Sequence, residues 1–403
     1  METVVAAPRA LVDRAITGPA YVRVHNGQIV EVNAGTGVGP ESAEVFDSGL
    51  LTPGLVDIQV NGAFGVDFAE ADEQSMRLVA TSLPATGVTS FLPTLITAPV
   101  PVILEQARNV LAAAKALDGT SGARPLGVHL EGPFLSPVRH GVHEPDLMAL
   151  PTPELVDLIL RDSSVMSALR MVTLAPELTG ALEFIRRLVD AGVLVSVGHT
   201  DATAAQVKAA GDAGARMVTH LFNAQRALGH REPGVPGAAL VDHRFTLGLI
   251  ADLAHVAGDI CKLVFQLAGD RVALVTDAVA AAGMPPGRYQ LGGEDVLLTD
   301  DGVPRSPAGT IAGSALTLDR AVRNIISIGI DPAVALCAAT VIPADVVGEP
   351  TLGRLAPGAR ADLVWWDDEM RPRKVWVGGE VVFDAADPAH VGAREAAMAY
   401  RAG

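Results

Sequence analysis

The strongest constraint on this chain is a recurrence of apolar runs, each closing on residues that can do chemistry. Eight such runs fall between residues 55 and 277: LVDIQV (55–60), TSFLPTLI (89–96), PLGVHLE (125–131), MVTLAPE (171–177), VLVSVGHT (193–200), RMVTHLF (216–222), FTLGLIADLAH (245–255) and RVALVTD (271–277). Helix-length stretches such as PVILEQARNVLAAAKAL and ELTGALEFIRRLVDAG separate most of them. Continuous apolar runs alternating with helices are the pattern of parallel strands buried on both faces. Eight of them is the count of a (β/α)8 TIM-like barrel, and we expect this α/β fold over residues 53–345.

The polar residues fall where such a barrel needs them. Gln59 and Asn61, Glu131, Glu177, His199, His220, His255 and Asp277 stand at or just after the ends of the runs. In a barrel those ends share one rim, the rim on which active sites are built. Strand-end polarity alone explains one or two of them, but not a set of imidazoles and carboxylates. Between His199 and His220 lies DATAAQVKAAGDAGA, a helix-length Ala-rich stretch closed by Gly, so the two imidazoles end adjacent strands. Together with Glu131 they fill three positions of a tetrahedral zinc-like site and leave a fourth open to water. Asp277 follows LVT and precedes an Ala-rich stretch. It reads equally as a carboxylate that moves protons at the site and as a helix N-cap.

Three loops carry further candidates. EGPFLSPVRHGVHEPD (131–146) is too irregular for a helix and follows a candidate ligand; His143 is its carbonyl-polarising candidate. LFNAQRALGHREPGVPG (221–237) supplies Asn223, the backbone amides of Asn223 and Ala224, and Arg231, a fork suited to phosphate. AGTIAGSALTLDRAV places small residues before a helix, where Thr310, Ile311, Ala312 and Gly313 can bring backbone close to a ligand.

The two ends of the chain have a different texture. AYVRVHNGQIVEV and KVWVGGEVVF each set a turn pair between alternating segments, a hairpin pattern. We expect residues 1–52 and 346–403 to fold together as a small β-sandwich domain with the barrel inserted between them. The balance of 30 basic and 46 acidic residues leaves a net charge of −16. That argues against a general nucleic-acid or anionic-membrane surface. Cys261 and Cys337 form no motif, and no uncharged 18-residue apolar run or signal pattern occurs. The expectation is a soluble cytoplasmic protein.

The ordered blocks PGLVDIQVNG, GVHLEGPFL, GVHEP, VSVGHTDA, THLFNA, GHREPGVPGAAL, LIADLAHV, LVTDAVAAAG and AGTIAGSALTLDRAV resemble the N-acetylglucosamine-6-phosphate deacetylases of the amidohydrolase superfamily. The resemblance implies hydrolysis of N-acetyl-D-glucosamine 6-phosphate to D-glucosamine 6-phosphate and acetate. It implies a divalent metal on Glu131, His199 and His220, Asp277 as general base and acid, and His143 polarising the acetyl carbonyl. Sugar and phosphate would be held by Val142, His143, Asn223, Ala224, Arg231, His255 and Thr310–Gly313. A homodimer is implied too, with Arg139 or His140 near the partner's phosphate pocket. Many amidohydrolases carry His-x-His after the first barrel strand; here the positions are Gln59 and Asn61, and an amide is a poor zinc ligand beside imidazole. One metal per subunit is therefore expected, Zn²⁺ first and Fe²⁺ second by donor type. The alternative activity is another amidohydrolase reaction, on a cyclic amide or an N-acyl amino acid, since fold does not fix substrate.

Overall fold

The computed structural model describes residues 2–35, 42–117 and 121–390. All eight apolar runs form barrel strands: β1 Leu55–Val60, β2 Val88–Leu95, β3 Val128–Glu131, β4 Leu169–Leu174, β5 Leu194–Val197, β6 Met217–Val218, β7 Thr246–Ile250 and β8 Val272–Val275. Every neighbouring pair from β1 to β8 is parallel. The ring closes where Asp277 N donates to Gln59 O (2.9 Å) and Asn61 N donates to Ala278 O (2.8 Å). These strands are buried almost throughout, so one hydrophobic core fills the barrel and runs out beneath its helices. Their sequences therefore read as continuous apolar runs.

Two helices show how the intervening stretches pack. α1 (Ala181–Asp190) buries Ala181, Phe184, Ile185 and Leu188, one face at helical spacing, and exposes its charges. α2 (Ala204–Asp212), between the two histidine strands, starts at a capping box in which Thr203 and Gln206 satisfy each other's backbone N–H groups.

Strands from both chain ends form two further sheets. One runs Gln28–Ala34, Ala20–His25, Glu2–Ala7, Glu44–Val45. The other joins Glu380–Asp384, Pro372–Val377, Leu363–Trp366, Leu50–Pro53, Ala10–Val12 and Ala15–Thr17, mixing N- and C-terminal strands. Val5, Val22 and Ile29 of the first sheet pack with Leu51, Leu363 and Trp376 of the second in a core of their own. Both expected hairpins form. Asn26–Gly27 and Gly378–Gly379 all have positive φ, as two-residue turns matched to strand twist require. The fold is thus a (β/α)8 barrel with a β-sandwich built from the two ends.

Candidate metal centre and active site

Glu131 is the last residue of β3, and His199 and His220 each stand two residues beyond the ends of β5 and β6. All three are buried. His220 Nε2 lies 3.1 Å from Glu131 Oε1 and 3.1 Å from His199 Nε2, and His199 Nε2 lies 3.4 Å from Glu131 Oε1. Donors at zinc bond lengths on a tetrahedron are roughly 3.3 Å apart. The triangle therefore has the size of one tetrahedral face. His199 Nδ1 donates to the Arg139 carbonyl (3.0 Å), which leaves the Nε2 lone pair directed at the other two donors. Two imidazole nitrogens and a carboxylate converging in a buried space are a donor set suited to a divalent cation. Among the described residues no other group of His, Cys, Asp or Glu converges in this way.

The backbone at this rim is unusual. His199, His220 and Asp277 have φ of 44°, 28° and 50°, left-handed conformations that a non-glycine residue adopts at a cost. Gly198 makes the turn into His199 possible, because a Cβ there would lie 2.7 Å from Thr173 Cγ2 and 2.8 Å from Thr219 Cβ. All three side chains line the cavity at the barrel mouth.

Asp277 is buried opposite this triangle. Its Oδ1 accepts from Asn61 Nδ2 (2.7 Å) and Gln59 Nε2 (3.1 Å), and Gln59 Nε2 also reaches Glu131 (3.3 Å). The N-cap alternative does not arise, since no helix begins here. Burial, and then the Glu131 charge, raise the Asp277 pKa. Burial also opposes ionisation of Glu131, but its contacts with the His199 and His220 imidazoles outweigh it and hold its pKa well below the usual value. Burial disfavours a charged His220, yet its contact with Glu131 prevails and raises its pKa.

His143 packs with its ring 4.3 Å from that of His199. Thr97 holds its Nδ1, through the hydroxyl at 2.8 Å and the backbone N–H at 3.4 Å. A backbone N–H can only donate, so Nδ1 accepts and Nε2 carries the proton. Burial, then the neighbouring His199, push the His143 pKa well down, so it stays neutral. It is a neutral N–H donor facing the cavity.

The cavity has a volume of about 340 Å³, near the lower end of ligand pockets. Of the sequence candidates, Glu131, Val142, His143, His199, His220, Asn223, Ala224, His255, Asp277, Thr310, Ile311 and Gly313 line it. Two do not. Ala312 is fully buried behind the wall and its N–H donates to Pro304 O (3.0 Å). Arg231 is exposed and stands outside the cavity of its own chain. The Asn223 backbone amide, offered above as a donor to ligand, is taken by His220 O (3.0 Å). Arg139 is paired with Asp201 and His140 with the His143 carbonyl.

The sequence reading missed several neighbours. Thr97 orients His143. Asp252 fixes His255 by accepting from its Nδ1 (2.7 Å) and from its backbone N–H (2.8 Å). Ile96, Ile250 and Leu291 line the cavity. Asp252, three residues before His255, was within reach of a local reading; Thr97 and Leu291 come from far along the chain.

Comparison with known proteins gives a consistent result. The family model described as "Amidohydrolase family" matches residues 50–382. An N-acetylgalactosamine-6-phosphate deacetylase of Escherichia coli O157:H7 is 38% identical over 384 residues, 94% of this chain and 99% of that protein. An N-acetylglucosamine-6-phosphate deacetylase of Vibrio furnissii is 39% identical over 341 residues, 83% of this chain and 84% of that protein. Among solved structures, a mutant N-acetyl-D-glucosamine-6-phosphate deacetylase of Mycobacterium smegmatis, in complex with N-acetyl-D-glucosamine-6-phosphate, superposes with a TM-score of 0.88. It is 36% identical, and the match covers 94% of this chain and 99% of that one.

Proposed function

The chain belongs to the amidohydrolase family, and we propose that it hydrolyses the acetamide of N-acetyl-D-glucosamine 6-phosphate, giving D-glucosamine 6-phosphate and acetate. The observation that carries this reading is the convergence of Glu131, His199 and His220 beside Asp277 at the barrel mouth. Relatives named for this deacetylation, similar over most of the chain, support the substrate.

Glu131, His199 and His220 would hold one divalent cation, Zn²⁺ by first preference of the donor set and Fe²⁺ by second. When bound, such a cation supplies Lewis acidity and lowers the pKa of water towards about 7. Asp277 is held at Oδ1 by two amide donors, which leaves Oδ2 to take a proton from water and return it to the departing sugar nitrogen. His143 directs Nε2–H at the carbonyl oxygen, where negative charge develops as the amide carbon becomes tetrahedral. Asn223 and His255 face the sugar and its phosphate from the β6 and β7 loops, His255 being kept in one tautomer by Asp252.

Arg231 stands outside the site cavity of its own chain, while its segment exposes Leu228 and Val241. This supports a homodimer in which that segment lies at the subunit contact. No helix among the described residues is long and apolar enough to cross a membrane; a cytoplasmic location is part of the same proposal. The second reading of the substrate is its galactosamine epimer, favoured by the name of the E. coli relative. Nothing found favours a cyclic amide or an N-acyl amino acid.

The test is turnover of N-acetylglucosamine 6-phosphate, its galactosamine epimer and unphosphorylated N-acetylglucosamine, each with and without a chelator. The proposal expects rapid, chelator-sensitive acetate release from the first and little from the third. Equal turnover of phosphorylated and free sugar would refute the phosphate requirement.

A further inference from the structure

The barrel mouth is divided by chemistry. In a closed ring of eight strands, β2 and β3 stand opposite β6 and β7. The β6 and β7 side presents Asn223, Ala224 and His255, with Ile250 among them. The β2 and β3 side presents Ile96, directly after β2, and Val142, in the loop after β3. A third apolar side chain, Leu291, arrives on a hairpin formed by Gly287–Leu291 and Glu294–Leu298. Ile96, Val142 and Leu291 belong to one small apolar cluster, distinct from the main barrel core.

This wall is fixed in place. A Cβ on Gly292, whose φ is +59°, would lie 2.5 Å from Ile96 Cδ1, so the hairpin tip rests directly on Ile96. Asp67 Oδ2 accepts from Gly292 N at 2.5 Å and ties the tip to the rim. The wall also flanks His143 twice: Val142 precedes it in sequence, and Ile96 precedes the Thr97 that holds its Nδ1. An apolar surface beside the carbonyl-polarising group suits the alkyl part of the acyl chain, whereas sugar hydroxyls need the polar groups across the mouth. Ile96 and Val142 are only partly buried, so apolar surface remains open to the cavity.

We propose that Ile96, Val142 and Leu291 form the N-acyl pocket and set the longest acyl group the enzyme accepts. The inference rests on the deacetylase reading above. One methylene too many in a closed apolar pocket is worth roughly 10- to 200-fold in kcat/KM. The wild type should therefore strongly prefer N-acetyl- over N-propionyl- and N-butyrylglucosamine 6-phosphate.

The experiment measures kcat/KM on these three substrates for wild type, Ile96→Ala and Leu291→Ala. The expected result is a butyryl-to-acetyl ratio raised by at least about 10-fold in one or both variants. Ile96→Val and Leu291→Val serve if the alanine variants fail to fold, with a smaller shift of the same sign. A ratio unchanged in every folded variant overturns the proposal. So does a KM raised equally for all three substrates, which would place the sugar ring against this wall, or a wild type indifferent to acyl length. A wild type that releases no acetate from the acetyl substrate overturns the deacetylase reading itself, a result distinguishable from the others.

Discussion

Two layers inside the barrel use similar residues for opposite ends. His129 and Glu131 lie two residues apart on β3, yet their surroundings differ throughout. In the lower layer His129 contacts Thr94 (3.1 Å) and Thr173 (2.8 Å), Thr173 reaches Thr219 (2.7 Å), and Thr219 reaches Ser196 (2.5 Å). Burial depresses the His129 pKa to about 4, so it sits as a neutral, satisfied core group. In the upper layer the imidazoles of His199 and His220 converge on Glu131 instead. His220 Nδ1, Gln59 Oε1 and Asn61 Oδ1 have no partner there, and three residues hold left-handed backbone. The lower layer has the marks of stability and the upper layer those of function, since unpaired buried polar atoms and strained φ persist where chemistry needs them.

Substitutions in the two layers should separate activity from stability. The largest effect belongs to Asp277→Asn. It should lower kcat by roughly 100-fold or more, the range for lost general acid–base catalysis, while leaving the melting temperature close to wild type. Steady-state turnover and thermal unfolding measured together check it, and near-full kcat removes Asp277 from its role. His129→Leu should do the reverse. It deprives Thr94 and Thr173 of a partner and should cost about 1–3 kcal/mol in urea unfolding, with kcat within a few-fold of wild type.

The smallest effect is a pH dependence. Asp57 lies beneath the rim, where its Oδ2 accepts from the Thr276 hydroxyl (2.6 Å), and burial lifts its pKa from 3.8 to about 7. A carboxyl raised on folding stabilises fully below its unfolded pKa, and this contribution fades as pH rises through the folded value. Wild-type stability should therefore fall from about pH 4 to pH 7 more steeply than that of Asp57→Asn, which keeps an acceptor oxygen. Parallel curves for the two proteins would assign the slope to other groups.

Much of the upper layer was legible because strand-end residues are local facts. VSVGHT, RMVTH and LVTD each show an apolar run and the polar residue after it, and barrel geometry then gathers those residues on one rim. What stayed hidden depends on partners distant in sequence. Thr97 meets His143 across 46 residues and Asn61 meets Asp277 across 216, and no local periodicity encodes such pairs. The same applies to Leu291, delivered by a hairpin outside the repeating β/α units. Arg231 shows the limit from the other side: a residue type suited to phosphate, placed by the fold on an exposed loop. Left-handed φ at His199 and His220 was equally silent, because that strain is imposed by tertiary packing against local preference.

The contrast between the layers rests on which histidines hold a cation. Metal content per chain, measured by elemental analysis on purified wild type, His129→Leu and His220→Leu, tests this directly. The account predicts about one divalent ion per chain in wild type and in His129→Leu, and essentially none in His220→Leu. Metal retained in His220→Leu, or lost only from His129→Leu, would contradict it.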